Sequence, residues 1–359
     1  MDHVSLRDRD GILTREGLIF RVFGYSHPPN AYVCDAEYAS AKIFQSKDPR
    51  APRDGKDQLF YKFYNDEGMK LVAKKYPQYL VFHEMLGVKL VGVFENAISE
   101  VKKPEERLAV LLEPGPKDEL ILAMQRVLNT ALENSGLKTK NFGVFGSMLY
   151  GFHHPKYSDI DFVIYGKTEN AKMRQTLEVL YGKDNSGLSN EFESDDAMKG
   201  KRWLFKNFDV KDFIWHQRRK MIYGLYDDRA RNGRVIKSEF EPVKAWHEIA
   251  SEYDPETRIV QKGWVRIKAR VTDDSDAPFI PSVYSIQPLE VFNGSRDALE
   301  AVRVFSYMEE FRQQAQNDET VMVEGNLEEV VSPKSRFHQV TLTYCPRYYE
   351  QVLKVESTT

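Results

Sequence analysis

Phe142-Gly143-Val144-Phe145-Gly146-Ser147 and, after a gap of eleven residues, Asp159-Ile160-Asp161-Phe162-Val163-Ile164 are the two runs that decide how this 359-residue chain is read. Each is apolar enough for a buried strand, and each carries its polar residues at one end. Alternation along a strand puts Asp159 and Asp161 on one face and Ile160, Phe162 and Ile164 on the other. One face can then pack on helices while the other presents two carboxylates about 7 Å apart. Two such carboxylates cannot both stay ionised cheaply in a cleft unless a cation sits between them. Mg²⁺ suits the task, because it takes oxygen ligands, keeps waters and completes its octahedron with phosphates. Gly146 lets the backbone come close to a phosphate, and Ser147 adds an amide and a hydroxyl donor.

Together the two runs resemble the signature of the DNA polymerase beta-like nucleotidyltransferase superfamily, an apolar residue, Gly, and Gly or Ser, then a gap and Asp-apolar-Asp/Glu-apolar. The likeness covers residues 118 to 215 and implies transfer of a nucleoside monophosphate from ATP or another nucleoside triphosphate to a hydroxyl acceptor. It implies two Mg²⁺ ions, with Mn²⁺ as the substitute. Asp159 and Asp161 would be catalytic and metal-binding, while Gly146, Ser147, Ser158 and Lys211 would contact the nucleotide. It further implies a third carboxylate in the Arg202–Trp215 region, which reads as a strand. Strand parity favours Asp209 there, since Asp212 shares a face with Phe208, Val210 and Ile214; a bulge between them would favour Asp212 instead. The competing reading is a non-catalytic nucleotide- or nucleic-acid-binding protein on the same fold.

Composition sets the bounds. Hydrophobic residues make up 42% and charged residues 29% of the chain, the balance of a water-soluble globular protein with room for two or three cores. No apolar run reaches membrane-span length, and Met1–Asp8 lacks the apolar core of a signal peptide, so a cytoplasmic protein with no membrane partner is expected. Cys34 and Cys345 match no zinc or redox spacing. The formal net charge of −3 gives no global attraction to polyanions. Residues 199–237 are the exception, with twelve basic residues against four acidic ones, and mark a candidate contact with RNA or DNA.

The expected fold class is α+β: a central polymerase beta-like domain, with a short mixed sheet and helices on one face, between two smaller β-rich α+β domains. Boundaries are placed at Glu113-Pro114-Gly115-Pro116 and near Pro242, giving domains 1–116, 117–238 and 239–359. Asp118 should cap a helix with Leu120, Ile121, Met124, Val127, Leu128 and Ala131 on its apolar side, ending at Ser135-Gly136. A helix is expected over Glu67–Lys75 and a long one from Asp297 through Phe311. Leu90–Ser99 echoes Val323–Ser332, and Pro29–Tyr32 echoes Pro281–Tyr284, so the flanks read as a diverged pair. His153 and His154 are adjacent and cannot face one metal from regular structure; they read as loop residues beside the pocket.

Overall fold

The computed structural model describes residues 5–55, 58–183 and 185–356, with only the backbone of Asp195. The chain forms two compact units: residues 1–83, 87–189 and 224–253 make the first, and residues 84–86, 190–223 and 254–359 the second.

The first unit begins with β1 (Gly11–Thr14), β2 (Leu18–Val22), β3 (Ala31–Ser40), β4 (Pro52–Asp54), β5 (Leu59–Lys62), α1 (Glu67–Lys75), β6 (Leu80–His83), β7 (Val88–Phe94) and β8 (Ile98–Lys102). These strands form one sheet in the order β4-β5-β3-β2-β1-β8. The long β3 also carries β7, which in turn carries β6. Apolar side chains Leu18, Phe20, Val22, Tyr32, Cys34 and Ala36 make its main core together with Leu71 and Val72 of α1. The helix expected over Glu67–Lys75 has those bounds. Both cysteines are free.

The chain continues through α2 (Pro104–Leu112), α3 (Glu119–Ser135), β9 (Phe142–Val144), α4 (Gly146–Tyr150), β10 (Ile160–Tyr165), α5 (Lys167–Tyr181), β11 (Leu188–Asn190), β12 (Tyr223–Asp227) and β13 (Val235–Val243). Asp118 Oδ1 accepts the N–H groups of Leu120 and Ile121, and Gly136 closes α3 in the left-handed region, as the capping residues require. The five strands make a mixed sheet, β11-β12-β13-β10-β9, in which β10 is antiparallel to β9 and parallel to β13. On one face Phe162 stacks on its register partner Phe240 at 5.5 Å. The face carrying Asp161 is partly covered by the N-terminal segment: Arg9 Nη2 donates to Glu241 Oε2 at 3.0 Å with both side chains buried. Arg7 lies 3.6 Å from the ring centroid of Tyr165 and bonds Glu105 at 3.0 Å.

Those contacts correct the domain boundaries. The Pro114-Gly115-Pro116 linker does separate α2 from α3, but both sides belong to one unit. The cut at 238/239 falls inside β13, where Pro242 is the register partner of Ile164. Proline is tolerated at strand positions that need no N–H donor, so it did not end this strand.

The second unit contains α6 (Val210–Arg219) and β14 (Arg258–Asp276), β15 (Ser282–Asn293), β16 (Ala301–Ser306), β17 (Thr320–Val331), β18 (Arg336–Leu342) and β19 (Val352–Val355). Pairings β14-β15-β16-β18-β17 close back onto β14, so these strands form a barrel with β19 added beside β17. Val265, Ile267, Ala269, Val323, Val340 and Leu342 fill its core with Phe208. The long helix from Asp297 is absent: a single 3₁₀ turn, Arg296–Glu300, leads into β16. Val302, Val304 and the aromatic Phe305 favour a pleated strand over a helix. The two echoed windows also differ, since 90–99 spans a strand end, a 3₁₀ turn and the start of the next strand, whereas 323–331 is one strand.

Candidate active site

Asp161 stands second in β10, and its register partner on the parallel β13 is Glu239. Asp159 lies just before the strand and is exposed, while Asp161 is half-buried. The Asp161 carboxyl is pushed well above the usual carboxylate range, first by burial, then by the charges of Glu239 and Asp159; Lys62 and Lys237 pull the other way. Three acidic groups thus converge electrostatically on one point of the sheet, which is costly unless positive charge is supplied.

Gly146 is required by the same carboxylate. Phe145 N–H donates to Asp161 O at 2.9 Å, which brings the turn into α4 directly alongside β10. Gly146 has φ +61°, and a Cβ there would strike Asp161 Oδ2. Ser147 follows in the first turn of α4 and is half-buried. Ser158 is tied into the preceding loop: its Oγ accepts His154 N–H at 2.9 Å, and its carbonyl accepts Arg234 Nη2. His153 Nε2 lies 2.9 Å from Asp118 Oδ2, while His154 stacks on Tyr157 at 4.5 Å. The adjacent histidines therefore diverge, as loop residues.

The strand expected over Arg202–Trp215 is overturned. Asp209 is the N-cap of α6, its Oδ1 accepting Lys211 N–H at 2.7 Å and Asp212 N–H at 2.9 Å. Those bonds hold its carboxyl below the usual range, the Asp212 amide contributing most. Asp212 Oδ2 pairs with Lys354 Nζ at 3.0 Å, and Lys211 is exposed in the first helical turn. All three residues belong to the second unit, where Asp209 caps α6 and Asp212 pairs with Lys354. Asp209-Val210-Lys211-Asp212 is an acidic cap followed three residues later by a second carboxylate, a spacing close to the helix-start box. The signal for Glu239 was also legible: Ile236, Ser238 and Phe240 alternate with Lys237, Glu239 and Glu241.

The basic stretch 199–237 is largely committed to its own unit's partners. In the second unit Arg219 pairs with Glu319, Lys206 with Glu350 and Lys201 with Glu191, while Lys220 donates to Glu310 O. In the first, Arg229 pairs with Asp227, and Lys237 Nζ meets Glu239 Oε1 at 2.6 Å.

Residues 124–223 match the family described as nucleotidyltransferase domain. The central segment is a nucleotidyltransferase domain of the polymerase beta-like superfamily. The matched stretch contains Gly146, Ser147, Asp159 and Asp161, and it stops short of Glu239. Over nearly its whole length the chain is similar to an uncharacterized protein of Methanocaldococcus jannaschii. The two are 28% identical over 358 residues, covering 98% of this chain and all of the relative. No solved structure matches. Among the described residues no helix is long and apolar enough to cross a membrane.

A divalent metal can be tested against these residues directly. Among the described residues no three His, Cys, Asp or Glu side chains are already arranged to hold an ion. The donor set nonetheless suits a hard cation: carboxylate oxygens only, opposed to one another, beside a glycine that leaves one carboxylate uncrowded. Mg²⁺ needs just one or two protein carboxylates, since waters and phosphates complete its shell.

Proposed function

We propose that the chain is a Mg²⁺-dependent nucleotidyltransferase that moves a nucleoside monophosphate from a nucleoside triphosphate to a hydroxyl acceptor. The observation that carries this reading is Asp161, set against the Gly146 turn, with Glu239 as its register partner and the charges of Glu239 and Asp159 acting on its carboxyl. Asp159, Asp161 and Glu239, in place of Asp209 or Asp212, would hold the metal. When bound, Mg²⁺ supplies charge neutralisation at the attacking and leaving oxygens of an in-line displacement.

The chain's own groups do the rest. Gly146 and Ser147 offer amide and hydroxyl donors to the outgoing phosphates. Lys62 and Lys237, whose charges already act on Asp161, balance negative charge that builds up as the bond to the leaving group breaks. The acceptor hydroxyl gives up its proton to solvent as its oxygen bonds to the α-phosphorus, the bond from the α-phosphorus to its bridging oxygen breaks, and pyrophosphate leaves with that electron pair. Several cations of 199–237 are bound to neighbouring carboxylates and carbonyls, while the exposed Lys199, Arg202, Lys211 and Arg231 remain candidates to meet an acceptor's phosphates.

The test is incubation of the full chain with Mg²⁺ and each α-labelled nucleoside triphosphate, with and without total RNA, DNA or a cell metabolite extract. Label should move to one acceptor fraction and pyrophosphate should appear in equal amount. Tight nucleotide binding with no pyrophosphate in any fraction would instead establish a non-catalytic nucleotide-binding protein.

A further inference from the structure

A second site lies in the first unit, in a cavity of about 550 Å³ that the nucleotidyltransferase motif does not use. Its walls are the end of β8, one side of α2 and the last turn of α4. Arg107 projects from α2 with its Nε donating to Met148 O at 2.9 Å. Among the described residues that is the one hydrogen bond of its guanidinium, which has no carboxylate partner. Partial burial depresses its pKa, with no opposing charge to offset the loss of water. A half-buried guanidinium without a counter-ion is costly, and a cavity beside it gives an anion somewhere to sit.

The charges around the cavity single out one cation. Lys102 pairs with Glu100 and Lys103 Nζ lies 5.9 Å from the centroid of the Trp246 ring, which leaves Arg107 against the exposed Glu106. Val101, Val110, Leu149 and Tyr150 give the rest of the wall an apolar character. A bare inorganic ion would leave those walls wet, and the volume is that of a small-molecule pocket. Guanidinium geometry favours two parallel bonds to phosphate oxygens.

We propose that this cavity binds a small organic phosphate, its phosphate group on Arg107 and its carbon skeleton against Leu149 and Val110. The site stands whether or not the catalytic reading holds. A ligand there is one short helix away from Gly146, because Arg107 grips Met148 of α4.

Calorimetric titration of the full chain, without nucleotide or divalent cation, tests the assignment. The probes are inorganic phosphate, glycerol 3-phosphate, ribose 5-phosphate, glucose 6-phosphate and a 5′-phosphorylated oligonucleotide. At least one of the three organic phosphates should bind saturably and at least about tenfold more tightly than inorganic phosphate. Arg107→Gln should weaken it by about tenfold or more, a loss of about 1.4 kcal/mol. Because Arg107 also holds α4, Val110→Glu serves as the second variant: Val110 is 49% exposed, so the fold tolerates the change while a carboxylate meets the ligand. It should weaken binding similarly, and Asp161→Asn should leave it unchanged. Three results would overturn the proposal: no organic phosphate binding more tightly than inorganic phosphate, equal binding by both cavity variants, or loss of binding in Asp161→Asn. Preference for the oligonucleotide would overturn the small-molecule assignment.

Discussion

Asp161 and Glu239 are register partners across the parallel pair β10 and β13, although 77 residues of chain separate them. Their charges oppose each other on the same face of the sheet, and Lys237 reaches Glu239 from two residues away on β13. Removal of this partner separates the two assignments of the third carboxylate. Glu239→Gln should lower kcat by about a hundredfold or more, the scale expected when one group facing developing charge is removed. Asp209→Asn should leave kcat within about twofold and stability nearly unchanged, because asparagine caps helices as well as aspartate does. Steady-state nucleotidyl transfer by both purified variants decides between them.

Asp161→Asn should abolish transfer and, without divalent cation, raise the thermal midpoint. The sign follows from the direction of the shift. A carboxyl whose folded pKa lies above its unfolded value stabilises the fold below the unfolded pKa and loses that contribution as pH rises through the folded one. Above the unfolded value the group is therefore a burden on the metal-free fold. Added Mg²⁺ should stabilise the wild type and leave the variant unmoved, which differential scanning calorimetry reads directly.

Gly146→Ala should fail on two counts. A left-handed φ costs a residue with a Cβ roughly 1–2 kcal/mol, and this Cβ would also displace the Asp161 carboxylate. Loss of activity should exceed the loss of stability, with the variant still folded by circular dichroism and its response to Mg²⁺ weakened.

Asp10 provides a pH dependence outside the catalytic centre. Burial raises its pKa to about 8, against the pull of the Arg7 N–H, which donates to Oδ2 at 3.0 Å. Its stabilising contribution is full below the unfolded value near 4 and is lost as pH rises through about 8. Thermal midpoints measured between pH 5 and 9 should fall toward the alkaline end in the wild type and fall less in Asp10→Asn.

Local signals in the sequence carried a good part of this molecule. Asp118 and Gly136 bound α3 because capping is a matter of a few neighbouring atoms, and Glu67–Lys75 formed the helix that its spacing implied. Gly146, Ser147, Asp159 and Asp161 fall inside the matched nucleotidyltransferase segment. What misled was also local: Phe208, Val210 and Ile214 read as one strand face, yet Asp209 starts a helix by binding two amides. Leu299, Val302 and Phe305 fit a helical stripe, yet Leu299 falls in the 3₁₀ turn and Val302 and Phe305 in β16 of a closed barrel, where pairing partners on β15 and β18 outweigh the period.

By itself, the sequence determined the chemistry available at the centre, because residue types and short spacings decide which groups can meet a phosphate or a metal. Tertiary structure alone decided which carboxylate stands beside Asp161 on the neighbouring strand. That choice depends on the register of two parallel strands joined through a long excursion into a second unit, and register is a property of the paired sheet rather than of either strand. It likewise decided that the N-terminal sheet and the nucleotidyltransferase core form one unit. The ion pair of Arg9 and Glu241 is buried from both sides at once, and neither residue's neighbours in sequence announce the other.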